Sequence, residues 1–381
     1  MSAVEYRFIE PLDVLFLRGN KLFGDPGSYG ESLVPPWPSV AAGALRSRML
    51  TDDGVDLAAF ARGAVTHPTL GTPQHPGTFA VTAFHLARRL ADGAVELLIQ
   101  PPADLLVSEN EDGAQSVRPI TPTRLATDGL TSSAPLPLLP LLAESERSKP
   151  ASGYWLTEAG WKSYLAGVRP RPTDLVKSSA LWKIDARVGV GLDAETRRAA
   201  DGRLFSVQAV AMAPGIGFLA GISGAVPPKD GTLRLGGDGR AAAVCPVVTN
   251  PTGPDYGAIS RARSVRLVLA TPGLFAGGWL PAGCTQSAQG EFRFNLHGVR
   301  GKLVCAAVAR AEVVSGWDLA KWQPKPSQRA APTGSVYWLD ELDATPDALR
   351  KLADAGLWSE SGDDPQRRAE GFNRVWLAAW L

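Results

Sequence analysis

The sequence predicts an α+β fold built from β-α-β-β-α-β units of ferredoxin type. Three observations lead there. An alternating stretch, "VEYRFIEPLD", is followed by the helix-patterned "PSVAAGALRSRML". A hairpin pattern comes next in "GTFAVTAFHLARRLADGAVELLIQ". A second helical stretch, "YWLTEAGWKSYLAG", then precedes further strand-like segments.

The elements follow in order. Alternation predicts a strand from Val4 to Ile9, ended by Pro11. Ser39 is the expected N-cap of the first helix, with Val40, Ala44, Leu45 and Met49 on its apolar face. Strands at 78–89 and 94–99 are joined at Asp92-Gly93, a tight-turn dipeptide. Residues 101–153 are rich in Pro, Ser, Thr and Leu without a stable period, so they are expected to form a long insertion. A helix over 154–167 stops at Gly167. Strand-like segments restart at about 204 with "FSVQAVAM", "GFLAGISG", "TLRLGGDGRAAAV" and "SVRLVLAT". "LVCAAVARAEVV", "SVYWLD", the helix "PDALRKLADAG" and the strand "FNRVWLAAW" complete the chain. The rhythm predicts two domains, 1–203 and 204–381, with the insertion at about 101–153 in the first.

The composition narrows the function. Lys and Arg number 39 against 38 Asp and Glu, a net charge of +1. Free-standing nucleic-acid binders are usually far more basic, so any polyanion site is local or shared with other subunits. The charge is uneven: residues 261–334 hold ten cations against three acids, and 335–381 hold five against nine. Three cysteines, Cys245, Cys284 and Cys305, without C-x-x-C spacing argue against a disulfide framework or zinc knuckle. No leader-like or membrane-spanning stretch is read, so the expected location is the cytoplasm.

Local cation–glycine clusters are the candidate binding features. In "LRGNKLFG" the candidates are Arg18, Gly19, Asn20 and Lys21, with Gly24 closing the stretch. Glycine lets backbone amides approach a phosphate that Arg and Lys neutralise. Arg46 and Arg48 on the next helix extend such a patch or are simply solvated. "GGDG" at 236–239 lacks the order of a dinucleotide loop and reads as a hairpin turn, with Gly236 and Gly237 flanked by Arg234 and Arg240. "RVGVGLDAETRRAADGR" offers Arg187, Arg197, Arg198 and Arg203 on a loop or lid between strands, interleaved with Asp193, Glu195 and Asp201. Trp182 and Phe205 are stacking candidates, or core.

Catalytic motifs are not apparent. Of the histidines, His67 and His75 lie in a proline-rich stretch expected at the surface, and His85 lies in a strand. There is no H-E-x-x-H, elbow serine or suitably spaced acid pair, and no cofactor is expected.

Taken together, "DVLFLRGNKLFG" with "PPWPSVAAGALRSRML" resembles the N-terminal signature of the RAMP-superfamily proteins of type III-B CRISPR effector complexes, in particular the family of the third Cmr subunit. "ARVGVGLDAETRRAADGRLFS", "LRLGGDGRAAAV" and "PKPSQRAAPTGSVYWL" resemble that family's later blocks, in family order, over residues 13 to 339. The resemblance implies tandem ferredoxin-like (RRM-like) RAMP domains with insertions. It also implies a non-catalytic subunit that binds the 5′ handle of the guide RNA and contacts the large polymerase/cyclase subunit and a backbone RAMP subunit. Two other readings stay open: a metal-independent endoribonuclease of the same superfamily, and a small-molecule enzyme whose glycine loops bind a nucleotide. The acidic, Trp-bearing tail (Trp358, Trp376, Trp380) is either a partner surface or a helix and strand closing the core.

Overall fold

The computed structural model describes residues 3–19, 29–125, 132–143, 149–193, 195–249, 251, 253–318, 320–359 and 364–380. Asn20, Lys21 and Gly24 lie outside the described residues. The chain forms two units. The first comprises Met1–Val95, Ser179–Val248 and Val313–Gln328; the second comprises Glu96–Ser178, Thr249–Glu312 and Arg329–Leu381. Residues 204–248, expected to open a second domain, therefore lie in the first unit.

The first unit is organised by a six-stranded sheet in the order Thr232–Arg234, Ala241–Val247, Glu5–Pro11, Ile216–Ser223, Ala80–Arg89, Val95–Leu97. Glu5–Pro11 pairs antiparallel with a strand on each side. Phe8 and Ile9 at its centre are fully buried, as a central strand of this composition requires. The Asp92-Gly93 turn forms as the sequence predicts. Leu90 and Ala94 close it with a backbone bond of 2.8 Å, and Gly93 takes φ 85.

The first helix spans Pro38–Asp52 and buries Ala41, Ala42, Ala44, Leu45, Met49 and Leu50. Its N-cap is Trp37, without a side-chain cap bond, rather than Ser39. Pro38 takes the first helical position, where its missing N–H and fixed φ cost nothing, and this moves the start two residues back.

Most of the described residues of 186–206 lie in strands rather than in a loop or lid. Trp182–Leu192 and Ala199–Met212 make one long antiparallel ladder. Alternating Val and small residues favour pairing, and Gly189 and Gly191 lie against Phe205 and Arg203 of the facing strand. A side chain at Gly189 would meet the Phe205 ring at 2.4 Å, so Phe205 packs on glycine within the ladder.

The second unit has its own six-stranded sheet, ordered Cys284–Gln286, Phe292–Leu296, Val299–Ala307, Val336–Asp343, Val265–Leu269, Val375–Ala378. Leu267, Leu269, Leu303, Tyr337 and Leu339 fill its core together with Leu349 and Leu352 of helix Pro346–Ala355. That helix starts on Thr345, whose Oγ1 accepts from the Ala348 N–H, and ends at Gly356 with φ 77. The 101–153 stretch is more ordered than its composition suggests, holding the pairs Leu105–Glu109 with Gln115–Pro119 and Thr121–Thr123 with Leu139–Leu141.

The tail closes the core. Trp358 is buried and donates to the Phe372 carbonyl at 2.9 Å, and Trp376 meets Trp161 edge-on at 4.7 Å. Trp358 is thus a packing group, and Trp376 is half-buried on the final strand, which pairs with Val265–Leu269.

Candidate nucleic-acid interface

The extended segment 12–19 leaves the first strand and runs between the long hairpin and the glycine turn. Leu15 and Val210 exchange backbone bonds of 2.9 and 2.8 Å. The Gly237 N–H donates to the Phe16 carbonyl at 2.8 Å, and Leu33 donates to Leu17 at 2.7 Å. Leu15, Phe16 and Leu17 are buried, so the segment is pinned and Arg18 emerges at its end, exposed.

Phe16 is the hub. Its ring packs with Val207 and Ala209 of the hairpin. The Arg240 guanidinium lies 5.0 Å from the ring centre and that of Arg187 lies 6.0 Å away. A cation over an aromatic face gains about 0.5–1 kcal/mol at an exposed site. Three of the arginines singled out in the sequence thus meet beside one ring and one turn.

Each of these arginines has a carboxylate partner. Arg240 donates to Asp13 at 2.6 Å, Arg187 pairs with Asp185 at 2.8 Å, and Arg18 reaches Asp238 at 3.3 Å. The Val14 N–H, then Arg240 and Arg187, hold the Asp13 carboxyl below the usual carboxylate range. All three pairs are solvent-accessible, so they are weak and exchangeable.

The glycines serve the turn. Gly236 has φ 76, and a side chain there would sit 2.7 Å from the Phe16 carbonyl oxygen. Arg234 is exposed at the end of its short strand. Arg197 is exposed at the hairpin tip with φ 54, and Arg198 is exposed beside it. Arg46 is held against Phe79, 5.2 Å from the ring centre, and is half-buried. Gly19 has open space around it.

Sequence reasoning missed Phe16, Asp13 and Asp238. Phe16 reads as strand core. The two acids become visible only once the hairpin turn is folded against residues more than two hundred positions away.

Two of the histidines are held inside the fold. His67, expected at the surface, is buried. Its Nε2 contacts Asp53 at 2.8 Å, and its Nδ1 accepts from the Thr69 and Leu70 N–H groups. The proline-rich turn folds over it because those three bonds satisfy both ring nitrogens. Burial pushes His85 down to about 4. Among the described residues no group of three or more His, Cys, Asp or Glu is placed to hold a metal, and no helix is long and apolar enough to cross a membrane.

Comparison with known proteins places the chain. No curated protein matches it. It is similar to a chain in the structure of a type III-B Cmr-β complex bound to cognate target RNA and AMPPnP, with 13% identity and a TM-score of 0.49, covering 97% of this chain and 95% of that one. A second structure, of type III-B Cmr-β bound to cognate target RNA, gives 13% identity and a TM-score of 0.46 over 97% and 96% of the two chains. The family model described as CRISPR-associated protein (Cas_Cmr3) matches residues 7–380, nearly the whole length. The chain belongs to the Cas_Cmr3 family of CRISPR-associated proteins.

Proposed function

We propose that the chain is a non-catalytic, RNA-binding subunit of a type III-B CRISPR effector complex that holds the 5′ handle of the guide RNA. The observation that carries this reading is the convergence of Arg187, Arg240 and the 236–239 turn on Phe16, with Arg18 paired to Asp238 of that turn. The guanidinium groups offer forked donors suited to phosphate oxygens. A single strand crossing the turn exchanges Asp13, Asp185 and Asp238 for phosphates. Arg234, Arg197 and, in the second rank, Arg46 lie in the same unit and extend the charge. Asn20 and Lys21 belong to the same reading on sequence grounds alone.

The two sheets support a tandem ferredoxin-like reading. In the first unit the strands 241–247, 5–11, 216–223 and 80–89 lie side by side; in the second, 375–378, 265–269, 336–343 and 299–307 do. Both follow the order fourth, first, third, second of a β-α-β-β-α-β unit. The first keeps the helix after its first strand and the second keeps the helix before its last. On this reading the halves expected at 1–203 and 204–381 interleave. In the assembled complex the chain contacts the large polymerase/cyclase subunit and a backbone RAMP subunit.

The test is a salt series on guide-RNA binding by the complex carrying Arg18→Gln with Arg240→Gln. Loss of two phosphate contacts flattens the salt slope by roughly 0.7 per contact. The effect is alike for every handle sequence, since phosphate carries no base identity. An unchanged slope with an unchanged melting temperature rejects the site. Sequencing of co-purified RNA tests the handle.

A further inference from the structure

A small hairpin far along the chain carries a feature that the arginine cluster does not use. Trp317–Asp318 pairs antiparallel with Gln323–Pro324, and the Lys325 N–H donates to the Gly316 carbonyl at 2.8 Å to extend the ladder. Two indoles stand on it. Trp317 is 47% exposed and Trp322 is 74% exposed. Their ring centres are 6.0 Å apart at 84°. An edge-to-face pair occupies one face of one ring, and Trp322 keeps most of its surface exposed.

Local stability does not account for this arrangement. Trp322 has φ 52, the left-handed region, where Gly or Asn sits at far lower cost than a bulky residue. A large apolar side chain held outward at such a backbone position points to a role for the ring itself.

The surroundings identify the ligand class. Lys321 is exposed beside Trp322, and Lys325 flanks the ladder. The acid of the hairpin, Asp318, is committed to its own turn, accepting from the Ala320 and Lys321 N–H groups at 3.0 and 3.2 Å. Protein interfaces enrich Trp but deplete Lys. Open indoles flanked by lysine charge fit a polyanion that also presents flat aromatic faces, which is an unpaired stretch of nucleic acid.

We propose that the hairpin of Trp317–Asp318 and Gln323–Pro324 is a second, base-stacking contact for single-stranded RNA, in which a base lies on the Trp322 indole while Lys321 meets a neighbouring phosphate. The choice of RNA rests on the function proposed above; the stacking platform itself does not depend on the arginine cluster. Because every base has an aromatic face, the contact is tolerant of sequence.

The chain and the co-purified complex are titrated at low salt with a fluorescein-labelled oligouridylate and with an abasic strand of the same length. Trp322→Ala weakens oligouridylate binding by roughly five- to a hundredfold, the range for loss of one stacked base. It leaves the salt slope unchanged, since no charge is removed, and leaves binding of the abasic strand unchanged. Trp322→Phe restores part of the loss, which separates stacking from misfolding. Wild-type affinity in Trp322→Ala, with weakened binding in the Arg18/Arg240 variant, overturns the hairpin contact and leaves the RNA-binding function standing. Binding of neither strand by wild type, alone or in the complex, overturns both. A Trp322→Ala chain that binds RNA normally but no longer co-purifies with its neighbours assigns the hairpin to a protein partner, against the proposal.

Discussion

Asp13 accepts a hydrogen bond from Arg240 at 2.6 Å, and the same guanidinium lies 5.0 Å from the centre of the Phe16 ring. The carboxylate and the ring together fix the cation in place, while the carboxylate cancels its charge. A phosphate entering the site competes with Asp13. Asp13→Asn keeps the side-chain size and removes the competitor. RNA binding by anisotropy at low salt is expected to tighten several-fold, and the gain fades as salt screens exposed charge. Weaker binding in this variant means that Arg240 faces away from the RNA.

Gly236 and Gly239 separate backbone strain from site geometry. Both take positive φ, 76 and 64. Alanine at either position costs about 1–2 kcal/mol for the left-handed conformation. Only at 236 does the new methyl also press on the Phe16 carbonyl, at 2.7 Å; at 239 the nearest atom is 3.8 Å away. Thermal melting is expected to fall in both variants. RNA affinity is expected to fall further in Gly236→Ala, because Phe16 and the arginines beside it move. Equal affinities would show that the turn does not position the cluster.

Much of this was legible in the residues. The strand–helix opening, the Asp92-Gly93 turn, the helix after Thr345 and the glycine hairpin at 236–239 all rest on local chemistry, and each forms within about two residues of where the sequence places it. What was hidden is non-local. His67 looks like a surface residue until the turn 67–71 folds its own N–H groups onto the ring. Trp376 looks free until strand Val375–Ala378 finds its partner. The arginines were visible as types, but Phe16 as their common support depends on contacts between residues 16, 187 and 240 that no window of sequence contains.

His85 gives the fold a defined acid sensitivity. Burial lowers it from 6.5 to about 4, so it is neutral in the folded chain at neutral pH. Below pH 6.5 the unfolded chain binds a proton that the folded chain refuses. Stability from this group is therefore constant above 6.5 and falls as pH drops from 6.5 toward 4, by up to about 3 kcal/mol. Melting temperature followed across that window is expected to fall less steeply in His85→Gln than in wild type. Parallel pH profiles would place the ring in water.

The buried pair Asp104–Arg266 tests what holds the second unit together. Arg266 Nη1 lies 2.6 Å from Asp104 Oδ2, and both side chains are fully buried. The guanidinium also donates to the Tyr164 and Ala379 carbonyls, each at 2.8 Å, and stacks over the Tyr164 ring at 4.1 Å. Tyr164 Oη donates to the second carboxylate oxygen at 2.8 Å. Every polar atom of the pair is used, so removing one member strands a charge. Asp104→Asn is expected to cost about 3–5 kcal/mol, the usual penalty for breaking a buried pair. The double change Asp104→Leu with Arg266→Met removes both charges together and is expected to cost less than the single change, although it also leaves the Ala379 and Tyr164 carbonyls without their donor. Denaturant melts of wild type and the two variants compare the two costs. A double variant weaker than Asp104→Asn would show that the ion pair itself, and not merely its completeness, stabilises the unit.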